Sequence, residues 1–468
     1  MSQAQGSESR IIMATEDTFK SSPELVIHTC ESVWDELVDA DAVATADATL
    51  YKVGSKSAKL AVGASLGAAD IVATDSLTAV DLSNYTHLVA WVRSSVALDA
   101  GDYQILLDDT AECASPVESL DIPALDADTW TQVKIALADP SACEAIISVG
   151  VKCIVDQGAL DFYIDDIRAI NQAIIIPFKS EGVRLSRNLM SSATIRNSRN
   201  PSKPARGNYD VAGPLAFEAH PFIQRILHYA FGSVTSTDNT TYYEHVFKVG
   251  ALPSFIYEKG FTDLAKYFLY NGCKVSSLKM SGRAEGFIDG EISVMGCKET
   301  IATVSFDDNG IDDAFTAFDA FEAIISEDSS ALGTVTDWEF TLDNSLDGGS
   351  YAIAATAANA GQRTALPARR AKVTGKITCV FEDTTLYDKA IANTETSLSI
   401  VLTKGTGVGT AGNEKLSIYF DELTFKPASP VIGGDQGIVV DLEFEAYYEN
   451  DADVSAARMV LLNTQALA

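Results

Sequence analysis

A mainly β chain is predicted, in which a two-sheet sandwich interrupts a second, larger β body that carries one short helix. Three observations predict it. Apolar residues alternate with polar ones over short runs bounded by Gly, Asp, Asn and Pro, the period-two mark of half-buried strands. At 468 residues the chain exceeds one ordinary core, since domains run to roughly 100–200 residues. With 47% hydrophobic and 21% charged residues, it has apolar material for cores that a disordered tail lacks.

Taken in order, the first strands are Leu60-Ala-Val-Gly63, His87-Leu-Val-Ala-Trp-Val-Arg93, Tyr103-Gln-Ile-Leu-Leu107, Thr129-Trp-Thr-Gln-Val-Lys-Ile135 and Phe162-Tyr-Ile-Asp-Asp-Ile-Arg168. Their spacing and intervening turn residues predict a sandwich over about 24–173. The one short helix is read over Pro221–Phe231, with Pro221 near its first turn and Gly232 as its stop. Phe222, Ile226, Leu227 and Ala230 form a stripe at helical spacing that suits packing on a sheet. Near the end, Val440, Leu442, Phe444 and Ala446 alternate with Asp441, Glu443 and Glu445, which makes a strand with one apolar and one acidic face. Met459-Val-Leu-Leu462 closes the fold, and 354–362 and 405–413 read as flexible loops.

The net charge of −31 bears on partners. Such a chain repels nucleic-acid phosphates unless its cations gather on one face, so sequence-specific DNA binding is not expected. Residues 24–173 hold 25 acidic and 7 basic side chains, a net −18, which leaves −13 for the rest. Adaptation to salty surroundings is a second source of such charge. Met1-Ser-Gln-Ala-Gln-Gly-Ser7 lacks the basic start and apolar run of a leader, and no apolar stretch of about 18 residues spans a bilayer. Assembly in a cytoplasm is expected. Cys30, Cys113, Cys143, Cys153, Cys273, Cys297 and Cys379 form no C-x-x-C pair and read as buried small hydrophobes. Cys113 and Cys143, both in turn-like sequence, are the pair that a disulfide would join.

Catalytic constellations are lacking, and an enzyme is not expected. No G-x-S-x-G elbow, P-loop or dinucleotide fingerprint occurs, and Gly405–Gly412 is followed by Asn413 and Glu414 where a phosphate cradle needs Lys and Ser or Thr. His28, His87, His220, His228 and His245 show no metal-ligand spacing. The pairs Asp108-Asp109, Asp165-Asp166, Asp307-Asp308 and Asp312-Asp313 would, on strands, point to opposite faces. Seven cations, Lys179, Arg184, Arg187, Arg196, Arg199, Lys203 and Arg206, stand within 28 residues. Three readings stay open for them: a solvated loop, a contact to DNA, and a contact to an acidic surface on another subunit, which fits best.

Further segments follow one another along the chain: Ser9-Arg-Ile-Ile-Met-Ala-Thr-Glu-Asp-Thr-Phe19, Ile176-Pro-Phe-Lys-Ser-Glu-Gly-Val-Arg-Leu-Ser-Arg-Asn188, Ser198-Arg-Asn-Pro201, Tyr209-Asp-Val-Ala-Gly213, Tyr270-Asn-Gly-Cys-Lys-Val-Ser-Ser-Leu278, Gly286-Phe-Ile-Asp-Gly-Glu-Ile-Ser-Val-Met-Gly296, Trp338-Glu-Phe-Thr-Leu-Asp-Asn344, Pro367-Ala-Arg-Arg-Ala-Lys-Val-Thr-Gly375 and Thr385-Leu-Tyr387. In this order they resemble the tail tube proteins of long-tailed bacteriophages. The resemblance covers 1–23 and 174–468. The interrupting 24–173 resembles a jelly roll of carbohydrate-binding modules, on Gly54-Ser-Lys-Ser-Ala-Lys-Leu60, Asp81-Leu-Ser-Asn-Tyr-Thr-His-Leu-Val-Ala-Trp91, Asp128-Thr-Trp130 and Tyr163-Ile-Asp-Asp-Ile167.

These resemblances imply a structural virion protein of a viral tail, a β-sandwich or barrel subunit with an inserted, outward-facing jelly roll. Its partner is chiefly itself, in stacked rings of about six, with other tail proteins at the tube ends and genomic DNA passing through. Arg184, Arg187, Arg196, Arg199, Lys203 and Arg206 become subunit-contact candidates, and Asp441, Glu443 and Glu445 lumen-facing ones. No cofactor is implied beyond a structural calcium in the insert, near Asp165-Asp166 and Glu31. Among the insert's aromatics, Trp34, Tyr51, Tyr85, Trp91, Tyr103, Trp130 and Tyr163, those on apolar strands, Trp91 and Trp130, read as core. Host-surface glycans are the insert's candidate ligand, and the alternative for the whole chain is a carbohydrate-binding surface or adhesion protein.

Overall fold

The alternation read along the chain becomes strands that pair antiparallel almost throughout, joined by tight turns. The computed structural model describes residues 5–307, 310–312, 316–353, 356, 359–432, 437–449 and 455–467. Parts of three sequence readings lie outside them: 354, 355, 357 and 358 of one loop, and Asp308 and Asp313 of two acidic pairs. The chain divides into a larger unit, Met1–Ser21, Ile174–Ser305 and Ile311–Ala468, and a smaller one, Ser22–Ala173 with Phe306–Gly310. The last segment departs from the expected 174–468 grouping. Its physical reason is local: the Asp307 carboxylate pairs with Lys134 at 2.6 Å, both side chains buried, and accepts the Ala173 N–H at 3.0 Å.

In the smaller unit, one sheet runs Thr131–Ala136, His87–Ser94, Leu160–Ile170, Ser57–Val62, Ala42–Asp47, with Glu24–His28 against the far end of Leu160–Ile170. The facing sheet runs Leu37–Val38, Ile71–Val80, Ile146–Cys153, Tyr103–Asp108, Glu118–Asp121. First and last strands lie side by side, Glu24 opposite Ile170, which is the geometry of a module spliced into a host loop. Between the sheets Tyr103 stacks on Phe162 at 5.3 Å, and Trp34 is fully buried. Trp91 and Trp130 correct the core reading: both are only half-buried. Leu88, Ala90 and Val92 take the inward positions of their strand, so period two turns Trp91 outward.

In the larger unit, the two flanks of the insert meet: Ser9–Thr15 pairs with both Ile174–Ile175 and Phe255–Phe261. A first sheet runs Arg184–Met190, Ala205–Glu218, Asp289–Gly296, Lys266–Arg283, Val335–Asp343, Lys372–Val380, Val439–Ala446. A second runs Gly232–Asp238, Tyr243–Val249, Arg458–Asn463, Lys415–Phe425, Thr396–Thr403, Ala323–Glu327. Lys415–Phe425 joins them by pairing its last residues with Phe444–Ala446. Their inner faces form one core, where Phe420 lies 5.3 Å from Phe340 and 5.2 Å from Phe444. Removing one such ring costs about 3–5 kcal/mol.

The expected helix spans Gln224–Phe231 and ends at Gly232, whose φ of 88° favours glycine and where a Cβ would meet the Ala251 carbonyl. Every residue of it except His228 is buried, so it is a core element and not a one-striped surface helix. A second helix, Thr385–Ile391, adds to the single one expected; Asp383 accepts the Thr385 N–H at 2.8 Å at its start. Seven residues are too few for a helical period to show in sequence. The 405–413 loop is a set of hydrogen-bonded turns in which the Asn413 side chain accepts from both Thr406 N and Thr406 Oγ1.

Candidate functional site: a charged sheet face and a basic arm

Period two gives the first sheet an apolar inner face and a polar outer one. Val440, Leu442, Phe444 and Ala446 are buried, and Asp441, Glu443 and Glu445 are exposed. Strand register extends that face into rows. Glu443, Lys376, Glu339, Ser281, Asp289 and Glu218 stand in one. Glu445, Thr374, Thr341, Lys279 and Glu291 stand in the next, and Asp441, Thr378, Asp337 and Arg283 in a third. Ion pairs cross the rows: Lys279–Glu339 at 2.8 Å, Lys426–Glu443 at 3.0 Å, Lys376–Asp441 at 3.6 Å and Lys179–Asp289 at 2.7 Å. Two of the three acidic candidates therefore have cationic neighbours, while Glu445 faces Thr374. The face is a lattice of alternating sign with acid in excess, and pairs so exposed contribute only about 0–1 kcal/mol each.

At the opposite margin of this sheet the six basic candidates come together on one projecting arm. Ala205–Glu218 keeps a third strand beside it only as far as Val211, opposite Gly296. Beyond that point Ser186–Met190 and Ala205–Asp210 form a two-stranded ribbon that leads into an exposed loop. Arg184 and Arg187 lie on the outgoing strand, Arg196, Arg199 and Lys203 on the loop, and Arg206 on the return, opposite Leu189. No Asp or Glu occurs from 182 to 209. Arg187 is partly occupied within the arm: it stacks over Tyr209 at 4.2 Å and donates to its hydroxyl at 3.0 Å. Leu189, Met190 and Ile195 are 65%, 56% and 97% exposed, so the arm buries none of its large apolar residues near the tip.

The arm's base is held by residues that local sequence does not announce. Arg363, 4% exposed, donates to the carbonyls of Val211, Gly296 and Gly348 at 3.1, 2.9 and 2.8 Å and pairs with Asp210. Tyr351 donates its hydroxyl to the Tyr209 carbonyl at 2.7 Å. Tyr351 and Arg363 flank the loop read over 354–362, and nothing in that stretch of sequence marks either for this task.

In the smaller unit Asp165 and Asp166 break the opposite-faces expectation. A bulge follows Asp165 and Asp166 takes a φ of 52°, so both are buried. Asp165 Oδ2 accepts the N–H groups of Lys52 and Val53 at 2.7 and 2.9 Å, and Glu31 accepts from Ser55 N and Ser55 Oγ of the same loop. Asp165 Oδ1 is buried with no hydrogen-bond partner among the described residues. Burial raises the Asp165 pKa above the usual carboxylate value, with the charges of Asp166 and Glu31 adding to it. Among the described residues no three His, Cys, Asp or Glu converge for a metal. A cation held by Asp165 and Glu31 would therefore draw on main-chain carbonyls as well. All seven cysteines are free and buried, Cys113 and Cys143 included.

On the outer face of the same unit, Lys52 sits over Trp91 at 4.5 Å, and Trp130 meets Tyr163 edge-on at 6.2 Å. Trp34, Tyr85, Tyr103 and Tyr163 are buried and Tyr51 is exposed. No helix among the described residues is long and apolar enough to cross a membrane.

Residues 131–446 match the family model described as phage tail tube protein. The match takes in the last three strands of the smaller unit as well as most of the larger, whereas the sequence resemblance lay over 1–23 and 174–468. No curated protein matches the chain. Among solved structures, the chain is similar to modules of a Clostridium thermocellum endo-1,4-beta-D-xylanase complexed with xylohexaose, at 16% identity over 32% of this chain and a TM-score of 0.23; it spans 28% of that structure's length. It is similar to a family 11 carbohydrate-binding module from Clostridium thermocellum in complex with a mixed-linked tetrasaccharide, at 12% identity over 34% of this chain and 96% of that one, TM-score 0.23. It is also similar to a tandem carbohydrate-binding module domain from Paenibacillus barcinonensis, at 9% identity over 96% of this chain and 98% of that one, TM-score 0.24. Likenesses this distant carry no argument.

Proposed function

The chain belongs to the phage tail tube protein family, whose members are structural components of the virion tail, and we propose that its copies assemble into stacked rings enclosing a channel for genomic DNA. The observation that carries this reading is the one-sided first sheet. Its outer face is polar in every row, with Asp441, Glu443 and Glu445 among an excess of carboxylates. A wall of that kind repels phosphates and gives DNA no strong point of attachment. The proposed rings hold about six subunits each, and the basic arm is the proposed contact between copies. The smaller unit, 22–173 in its main segment, serves as an outward decoration, since a module of that size has no room in a bore scaled to DNA.

Electron microscopy of the purified chain tests this. Hollow filaments or rings of uniform bore are the expected result; monomers at every concentration overturn it. A second reading, a carbohydrate-binding surface or adhesion protein, is favoured by the half-buried Trp91 and Trp130 on the outer face of the smaller unit. It predicts retention on glycan columns without assembly. A structural calcium at Asp165 and Glu31 is proposed on the strength of the orphaned Asp165 Oδ1.

A further inference from the structure

At the margin of the first sheet farthest from the arm lies a groove of about 450 Å³, large enough for several side chains. Its apolar lining includes Leu332, Val380, Phe381, Leu386, Val440 and Leu442. Its rim is acidic. Asp328 stands at a hairpin tip where Asp328 and Ser329 both take positive φ, 46° and 64°, the pattern of a tight two-residue turn. Glu382 and Asp383 stand just ahead of the second helix, and all three carboxylates are exposed. Inside the groove the buried Glu327 already pairs with Lys389 at 2.5 Å. No ion pair engages Asp328, Glu382 or Asp383 among the described residues.

The arm is the complement of this groove in both respects. It carries cations without a single carboxylate, interleaved with exposed apolar residues, of which Ile195 is 97% exposed and lies beside Arg196. Between the arm's strands and Lys372–Val380 stand Asp289–Gly296, Lys266–Arg283 and Val335–Asp343. At about 4.8 Å per strand the two features are on the order of 20 Å apart. They do not meet within one chain. Complementary surfaces on opposite margins of one sheet make a head-to-tail contact, which closes into a ring or continues as a filament.

We propose that the arm tip of one copy, Ile195 with Arg196, Arg199 and Lys203, docks in the acid-rimmed groove of another copy. This rests on the reading of the chain as a self-assembling tube subunit and names the surface that receives the arm.

The test uses three variants of the full chain, followed by sedimentation and electron microscopy. One reverses the arm (Arg196→Glu, Arg199→Glu, Lys203→Glu), one reverses the rim (Asp328→Lys, Glu382→Lys, Asp383→Lys), and one carries all six changes. Because every altered side chain is exposed, circular dichroism of each should match the unaltered chain, and melting should match too, apart from a small drop wherever Asp383→Lys removes the acceptor of the Thr385 N–H. Either triple variant is expected to raise the concentration needed for assembly at least about tenfold, and the sixfold variant to restore it. Loss with the arm variant but not the rim variant overturns the groove while leaving the self-assembly reading standing. Loss with both and no recovery in the sixfold variant overturns their pairing. Arm-reversed protein that assembles normally overturns the proposal, and still more so if that change abolishes binding of duplex DNA. An unaltered chain that never assembles removes the reading on which the proposal rests.

Discussion

Replacing Arg363 by Met keeps most of the side-chain volume and removes every donor at the base of the arm. Arg363 is 4% exposed, and its guanidinium serves three main-chain carbonyls and the Asp210 carboxylate. The buried Val211 and Gly296 carbonyls lose that donor, at about 1–3 kcal/mol for each group left short. Asp210 is 49% exposed at its side chain and rehydrates, so its share is small. The sum is about 3 kcal/mol, which for a unit of this size lowers its melting temperature by roughly 4–5 °C. Arg363→Lys should fall near the Met variant, because a point charge cannot reach three carbonyls at once. Calorimetry of the full chain reads the result, with the larger unit's transition shifted and the smaller unit's unmoved. Hydrogen exchange adds a local readout: the Tyr209 amide, bonded to the Gly361 carbonyl at 2.8 Å, loses protection. A shift under about 1 °C, or one shared by both units, would refute the assignment of Arg363 as the brace of the arm.

Asp307→Ala leaves the Lys134 ammonium buried without its carboxylate, so the smaller unit should lose about 3 kcal/mol in denaturant titration, although Asp307 lies far beyond Ala173 in sequence; an unchanged midpoint contradicts this. Burial lowers the His220 pKa from its ordinary 6.5 to about 4. The folded state thus takes up its proton later than the unfolded one, and the contribution is intact above about pH 6.5 and lost as pH falls toward about 4, about 3 kcal/mol in all. Glu16, raised by burial, acts in the opposite sense, so the measurement is the difference between the unaltered chain and His220→Gln across pH 7 to 4.5; parallel curves exclude the effect. Calcium should raise, and a chelator lower, the smaller unit's melting temperature, with the response absent in Asp165→Asn; an indifferent melt removes the site.

What was legible in the sequence was what is local. Val439–Ala446 alternates along its whole length, so its buried and exposed faces could be named residue by residue. The basic cluster was visible, but its becoming a free-standing ribbon depends on where the neighbouring strand stops, at Gly296, which is a tertiary fact. Trp91 was misjudged by residue type; parity with Leu88, Ala90 and Val92 would have turned it outward. The Asp165-Asp166 bulge rests on one left-handed residue that is not glycine, and no composition signal marks it. Arg363 reaches across 152 residues to Val211, and nothing in its own neighbourhood reveals that.

Charge then constrains how copies can meet. The chain carries −31, and without the arm's six cations the rest of it carries −37. Two such bodies repel wherever acidic surface meets acidic surface, which suppresses association through incidental apolar patches. An arm against a body reverses the sign, and the arm is long, free of carboxylates and tethered at a fixed point by Arg363 and Tyr351. Encounter is therefore attractive in one orientation and repulsive in most others. Because the arm springs from one sheet margin, the favoured contact cannot be the same patch on both partners. Under the proposed docking a subunit built this way would add head to tail, and the acidity that keeps it from clumping would also select the direction in which it grows.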